Sequence, residues 1–476
     1  MKGAKQHKKT IQTVCIAALC ATSFGLGVLA PKAVSILNHS NVSGLKKVEK
    51  VYSMLEDNWY YADQVEDINE LLSEQALMGM TSLEKDPHTN YFNLEQAKAF
   101  QQSLSGSQVG IGFSFYVQED GNLKVRQVYI HSAAEKAGLQ SEDIITVIGN
   151  KICKDTPSEE IIEYIQAHDG KPLTLHILRD GKPKQLEVVP GHFDSTVICQ
   201  IHDGFGEIIL SSFSEFSGQD FADAIERLEE ADVTNLIIDL RGNTGGYLSA
   251  VIDIASTLLP EDSVVFKECL KNEKVKEYKV SDDFEYTPFE QIVLLQNENS
   301  ASASEVLIGA LKDNLPETVT TVGTRTYGKG TEQVTVPFKD GTSIKYTVAE
   351  WKTPKGTSIN QKGFEPDIEV EGLPIQNVKY KEMEKEEVIE PDTVHVNARA
   401  VQVFLQYLGY DIDRTDTYFS LKSGEALRQF QKDHGMNATG TVDKKTWEQL
   451  EKATLLKMNQ NEKIEDQQRQ RAIEVF

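Results

Sequence analysis

The chain has 476 residues, 49 Lys+Arg against 73 Asp+Glu and a net charge of −24. That length exceeds one ordinary domain of roughly 100–200 residues, and the acidic balance argues against a nucleic-acid binder, which carries a basic field. A hydrophobic content of 39% is too high for a mostly disordered chain.

The charge is unevenly placed. Lys2, Lys5, Lys8, Lys9 and Lys32 lie in residues 1–33 with no acid, which leaves 44 basic and 73 acidic residues, a net of −29, for the remainder. After the first lysines comes the apolar run Ile11 to Ala30. As a helix with a rise of ~1.5 Å per residue it would be about 30 Å long, enough to cross a bilayer. Lysines on its amino side predict a cytoplasmic start and an outside body. We expect a cytoplasmic tip and membrane anchor over 1–33; the rival is a cleaved signal peptide. Five cysteines, two of them in this run, show neither a disulfide framework nor zinc spacing, and no metal or cofactor is expected.

Residues 34–104 read as helical. Val48, Val51, Tyr52 and Leu55 make one apolar stripe, and Leu71, Leu72, Ala76, Met78 and Met80 follow, up to the helix-stopping turn Asp86-Pro87-His88-Thr89. Residues 105–191 alternate apolar and polar positions, opening at Gly110-Ile111-Gly112-Phe113, with short helices near 133–137 and 158–167.

From Gly206 the pattern becomes strand–helix alternation, to about residue 372. Asn235 to Leu240 and Ile292 to Leu295 are buried, largely apolar strands; helices are expected over 219–230, 248–258 and 302–311. Such alternation predicts a mainly parallel sheet with packed helices. Residues 373–392 are a charged linker and 393–456 a small helical module. The polar, Gln-rich tail 457–476 is expected to be a frayed helix or disordered.

Chemistry centres on Ser300-Ala-Ser302-Ala-Ser304-Glu305 at a strand-to-helix turn, followed by Tyr327-Gly328-Lys329-Gly330 and Gln333. A serine there stands clear of the sheet, beside free backbone N–H groups of the next helix. Its hydroxyl needs a base, and the scattered histidines offer none. A buried Lys can serve once its pKa falls, and Gln333 could hold the amine. From chemistry alone, a Ser/Lys dyad and mere small-residue packing both stay open.

These motifs, with Asp239-Leu-Arg-Gly-Asn-Thr-Gly-Gly246, Thr326 to Thr331 and Gly363-Phe-Glu-Pro-Asp367, resemble the carboxyl-terminal processing (tail-specific) serine proteases. The resemblance implies an α/β multidomain chain: an N-terminal helical arm, a PDZ domain over 105–191, a crotonase-like α/β protease core over 192–372 and a three-helix C-terminal module. It implies Ser302 as nucleophile, Lys329 as base and Gln333 as orienting residue. Ser304 is the competitor, as a hydroxyl at the helix start. The oxyanion hole would be backbone N–H of Ala303 and of Gly245 or Gly246.

Gly110, Ile111, Gly112 and Phe113 resemble a PDZ carboxylate-binding loop that receives a substrate's free C-terminus and gates the site. Arg179 would report that tail or be a surface residue. The module with Phe404, Phe430 and Trp447 resembles a peptidoglycan-binding domain. The implied partners are protein tails, cell-wall peptidoglycan, the membrane and a second copy of the chain, with no nucleic acid. The rival functions are a catalytically silent PDZ and cell-wall scaffold and a crotonase-like acyl-transfer enzyme.

Overall fold

The computed structural model describes residues 43–376 and 378–476, so the expected anchor over 1–33 lies outside the described residues. The chain divides into two compact units, each built from three separate stretches.

The first unit comprises the N-terminal stretch through Ser103, Cys269–Lys274 and Thr331–Glu350. Its helices are Ser43–Asn58, Ile68–Thr81 and Leu94–Ser105. Asp67 caps the second by accepting from Asn69 N and Glu70 N, which satisfies two of the otherwise orphaned donors at a helix start. Thr81 ends that helix: its hydroxyl donates back to Leu77 O and accepts from Tyr91 N. The short strand Asn90–Phe92 pairs antiparallel with Ser343–Lys352, which also pairs with Thr331–Pro337. The predicted turn at Asp86 does more than stop a helix. Asp86 accepts from Thr89 Oγ1 at 2.6 Å and Thr347 Oγ1 at 3.0 Å. Burial alone would raise its carboxyl, but these donors hold it below the usual range.

The second unit holds three folded parts. The first is an antiparallel sheet in the order Phe113–Val117, Leu123–Val128, Ile144–Ile148, Leu173–Arg179, Lys182–Val188. Alternate residues, such as Leu123 and Val125 or Leu173, Leu175 and Ile177, face a core closed by the helix Ser158–Gln166. Cys153 is buried in it, and burial pushes its thiol up to about 11.

The second part is a six-stranded sheet: Val197–His202, Phe205–Leu210, Asn235–Asp239, Gln291–Gln296, Val319–Gly323, Ile368–Glu369. Its first pair is antiparallel and the rest parallel. Helices Ser217–Glu230, Leu248–Leu258 and Ala303–Asn314 bury their apolar faces with one side of it, against Ile208, Leu236, Ile238 and Leu294. The strand Asn235–Asp239 is buried on both faces, and Ile237 belongs to a separate cluster with Phe205, Val293, Leu295, Val322 and Ala472.

Ala472 corrects the expectation for the tail. Residues Gln467–Ile473 form a helix whose Ala472 is fully buried on the second face of the sheet. The sequence looks polar because only Ala472 and Ile473 of this helix meet the apolar layer, while Gln468 and Arg469 hold it by hydrogen bonds and an ion pair.

The third part packs helices Ala398–Leu408, Leu421–Asp433 and Lys444–Glu465 around Phe404, Leu427, Phe430 and Trp447. Gly409, at φ 100°, closes the first helix.

Candidate active site

The strand Gln291–Gln296 leads through a short turn into the helix Ala303–Asn314. Three serines lie here, and two are spent on structure. Ser300 Oγ donates to Leu240 O and Ser304 Oγ to Asn243 O, each at 2.8 Å, and both side chains are fully buried. Ser304 is therefore a structural hydroxyl. Ser302 alone is partly exposed between buried neighbours. Its backbone takes φ 55°, ψ −114°, a conformation that costs a residue with a Cβ of order 1–3 kcal/mol and gathers at functional turns.

Glu305 organises this turn. It is fully buried and accepts four donors. Oε1 receives Thr326 Oγ1 at 2.6 Å and Gly328 N at 2.7 Å; Oε2 receives Ser302 N at 2.9 Å and Lys329 N at 2.8 Å. Burial pushes its carboxyl up and the four donors pull it back, leaving it above the usual value. One carboxylate oxygen thus gathers the backbones of Ser302 and Lys329. Sequence reasoning gave Glu305 no role. The signal was present as Ser-x-x-Glu, the reciprocal capping pattern at a helix start.

Lys329 is partly exposed. Its carbonyl accepts from the indole Nε1 of buried Trp351 at 3.0 Å. The glycines beside it are demanded by close packing. At Gly328, with φ 89°, a Cβ would meet Gly363 N and Lys362 N at 2.8 Å; at Gly330 it would meet Asn360 Cβ at 2.6 Å. The loop is pinned on both sides of the lysine. Gln333 belongs to the other compact unit. There its Nε2 donates to Thr331 Oγ1 at 2.9 Å and Thr347 Oγ1 at 3.2 Å, beside a bulge in the strand between Glu332 and Gln333.

The turn Arg241–Gly246 lies against the serine turn. Ala301 N donates to Asn243 O and Gly242 N to Asn297 Oδ1, both at 3.0 Å. A Cβ on Gly245 would sit 2.8 Å from Ser302 Cβ and 3.0 Å from Ala303 N. Gly245 therefore faces the nucleophile turn, yet its own N–H donates to Asn243 Oδ1 at 2.9 Å. Of the two expected glycine donors, Gly245 is engaged within its own turn. Gly246, at φ 149°, is pressed against Phe213, whose O a Cβ would meet at 2.1 Å.

In the antiparallel domain, Ile111 is buried and its carbonyl accepts from Ala134 N at 2.8 Å; Gly112 O accepts from Tyr129 N at 3.1 Å. At Gly112, with φ 90°, a Cβ would meet Ser132 Cβ at 2.1 Å. The strand Phe113–Val117 lies at one end of its sheet, the place where a peptide could add as a further strand. Arg179 is a partly exposed residue. Its guanidinium is spent on Asp143, at 2.8 and 2.6 Å, and on Gly138 O.

Comparison with known proteins settles the family. The model of peptidase family S41 matches residues 204–370, a PDZ domain model matches 124–179, and a putative peptidoglycan binding domain model matches 395–450. Carboxy-terminal processing protease CtpB of Bacillus subtilis is 33% identical over 414 residues, covering 85% of this chain and 84% of that protein. The chain belongs to peptidase family S41. A probable CtpA-like serine protease of Staphylococcus saprophyticus is 31% identical over 465 residues, covering 95% of this peptidase and 90% of the relative. A solved photosystem II D1 C-terminal processing protease aligns over 70% of this peptidase and 95% of its own chain, at 21% identity and a TM-score of 0.40. This peptidase is thus a serine protease of the C-terminal processing family, with a PDZ and a peptidoglycan-binding-type domain.

Proposed function

We propose that this peptidase is a membrane-anchored, extracytoplasmic endopeptidase that trims proteins near their C-termini with a Ser302/Lys329 dyad. The observation that carries the reading is the strained, partly exposed Ser302 held with Lys329 on one buried carboxylate, Glu305. Ser302 Oγ attacks the scissile carbonyl carbon and passes its proton to Lys329 Nζ. The carbonyl oxygen becomes an oxyanion at the start of the helix, facing Ala303 N–H and a glycine N–H of the 245–246 turn. Lys329 then returns the proton to the leaving amine, and water hydrolyses the acyl-enzyme. The family resemblance gives Gln333, four residues along the chain, the role of orienting residue.

The PDZ domain admits substrate tails. Its His131 Nε2 lies 2.6 Å from Asp223 Oδ2, and its Glu135 accepts from Arg227 at 3.2 Å, so two polar links join it to a helix of the protease core. Beside them Ile130 is buried among the core residues of the protease, so the gate would move against one apolar contact as well as these polar links. The C-terminal domain holds the enzyme near peptidoglycan. The basic, apolar N-terminal sequence supports the anchor; among the described residues no helix is long and apolar enough to cross a membrane. Leu45, Val48, Val51, Met54 and Leu55 of the helix Ser43–Asn58 are exposed, and we assign this stripe to pairing with a second copy.

The test is Ser302→Ala and Lys329→Ala in the purified chain, with peptide hydrolysis and labelling by a serine-directed acylating probe. Both variants should lose hydrolysis, and Ser302→Ala should lose labelling. Full proteolysis by either overturns the dyad; an unlabelled, inactive wild type supports the silent scaffold instead.

A further inference from the structure

The tail helix Gln467–Ile473 does more than cover a sheet. Asp466, the residue that caps it, accepts from Arg469 N at 2.9 Å and also from Arg241, Nη1 to Oδ1 and Nη2 to Oδ2, each at 2.8 Å. Arg241 opens the turn that ends at Gly245 and Gly246. The other side of its guanidinium pairs with Asp239, at 2.9 Å from Nε and 2.6 Å from Nη2, and Gln468 Oε1 accepts from Nη1 at 3.1 Å. Arg241 is therefore a partly buried cation clamped between the end of a core strand and the tail, 225 residues further along the chain.

The tail is anchored independently. Arg469 donates to both oxygens of buried Glu207, at 2.9 and 2.7 Å, and Gln468 Nε2 donates to Val370 O at 2.8 Å. Ala472 fills the apolar layer. Asp466 thus approaches Arg241 from a fixed base. A planar guanidinium with a carboxylate on each side has one orientation that satisfies both, and the backbone of Arg241 is fixed with it, since its N–H also donates to Asp239 Oδ1. The next residue, Gly242, bonds Asn297 in the serine turn.

We infer that Asp466 is a positioning residue: through Arg241 it sets the turn that carries the oxyanion glycines against Ser302. The inference rests on the reading of Ser302 as nucleophile. A misplaced oxyanion donor slows the chemical step while leaving ground-state binding largely alone. The tail would then be part of the catalytic apparatus, although it lies outside the segment matched as the peptidase family, residues 204–370.

The test is a double-mutant cycle in the full chain with Asp466→Ala, Arg241→Lys and the pair. Asp466→Ala should lower kcat on a peptide about tenfold and slow acylation by a serine-directed probe equally, with KM changed less than about twofold. Asp466→Glu should restore most of the rate. In the Arg241→Lys background the loss from Asp466→Ala should shrink. Folding is checked in each variant by circular dichroism and thermal melting. Wild-type kcat in a folded Asp466→Ala chain overturns the inference, as does an equal loss in both backgrounds. An inactive wild type or an active Ser302→Ala chain would instead overturn the reading of Ser302.

Discussion

Glu305 is the most informative residue to perturb, because one side chain satisfies four donors inside the protein. In Glu305→Gln one oxygen becomes an NH2 group. Turned toward Ser302 N and Lys329 N, the amide would orphan two backbone N–H groups. Turned toward Thr326 and Gly328, it orphans only Gly328 N–H, because the Thr326 hydroxyl can rotate and accept. The second orientation wins and leaves one buried donor unpaired, at about 1–3 kcal/mol. For a domain of this size that corresponds to a melting temperature lower by roughly 2–12 °C. The link between Ser302 and Lys329 survives, so kcat should fall by only about tenfold.

Glu305→Ala removes both acceptor oxygens and with them all four hydrogen bonds. Three backbone donors are stranded, at roughly 3–9 kcal/mol, comparable with the whole stability of a domain at about 5–15 kcal/mol. This variant should be largely unfolded at 37 °C or, where folded, slower by more than about a hundredfold. The assay is thermal melting beside steady-state peptide hydrolysis for both variants. An alanine variant with wild-type melting temperature and kcat would refute the account of Glu305 as organiser of the site.

Three further outcomes are expected. Gly245→Ala places a methyl 2.8 Å from Ser302 Cβ at φ 107°, so it should cut kcat by at least about a hundredfold in chains that remain folded by circular dichroism. Glu207 bears on acid stability: burial raises its carboxyl, but His202 and Arg469 overcome that and hold it at about 2, against 4.5 ordinarily. A depressed carboxyl contributes stability that is present above pH 4.5 and lost as pH falls toward 2. That amounts to about 3 kcal/mol, so Arg469→Ala should melt lower than wild type at pH 6, with the gap closing near pH 2. Gly112→Ala drives a Cβ to 2.1 Å from Ser132 Cβ; titration with a fluorescent C-terminal peptide should show weakened binding to the PDZ domain.

Much of the architecture was legible in local pattern. The strand Asn235–Asp239 and the helix Leu248–Leu258 follow from periodicity and from the glycine-rich turn between them. Local pattern alone does not separate Ser302 from Ser304, since both are small hydroxyls two residues apart and only the family resemblance tells them apart. In the fold the distinction depends on which carbonyl each can reach, and Ser304 reaches Asn243 O. Arg179 looked like a free cation until Asp143, 36 residues away, was seen to hold it.

The sequence by itself determined the order of the domains, the identity of the motifs and the short-range chemistry of the serine turn, because those rest on residues close in the chain. Only the tertiary structure decided where the tail goes. An apolar strand that must be buried on both faces demands a cover on each, but its residues do not say which segment supplies it. Gln467–Ile473 offers one buried alanine, a partly buried Ile473 and five polar side chains, and a mostly polar sequence reads as solvated until its partners are known. Those partners, Arg241 and Glu207, are more than 200 residues away. Charge pairs across such a distance leave no periodic trace in the sequence, since each half looks like an ordinary surface charge until the fold joins them.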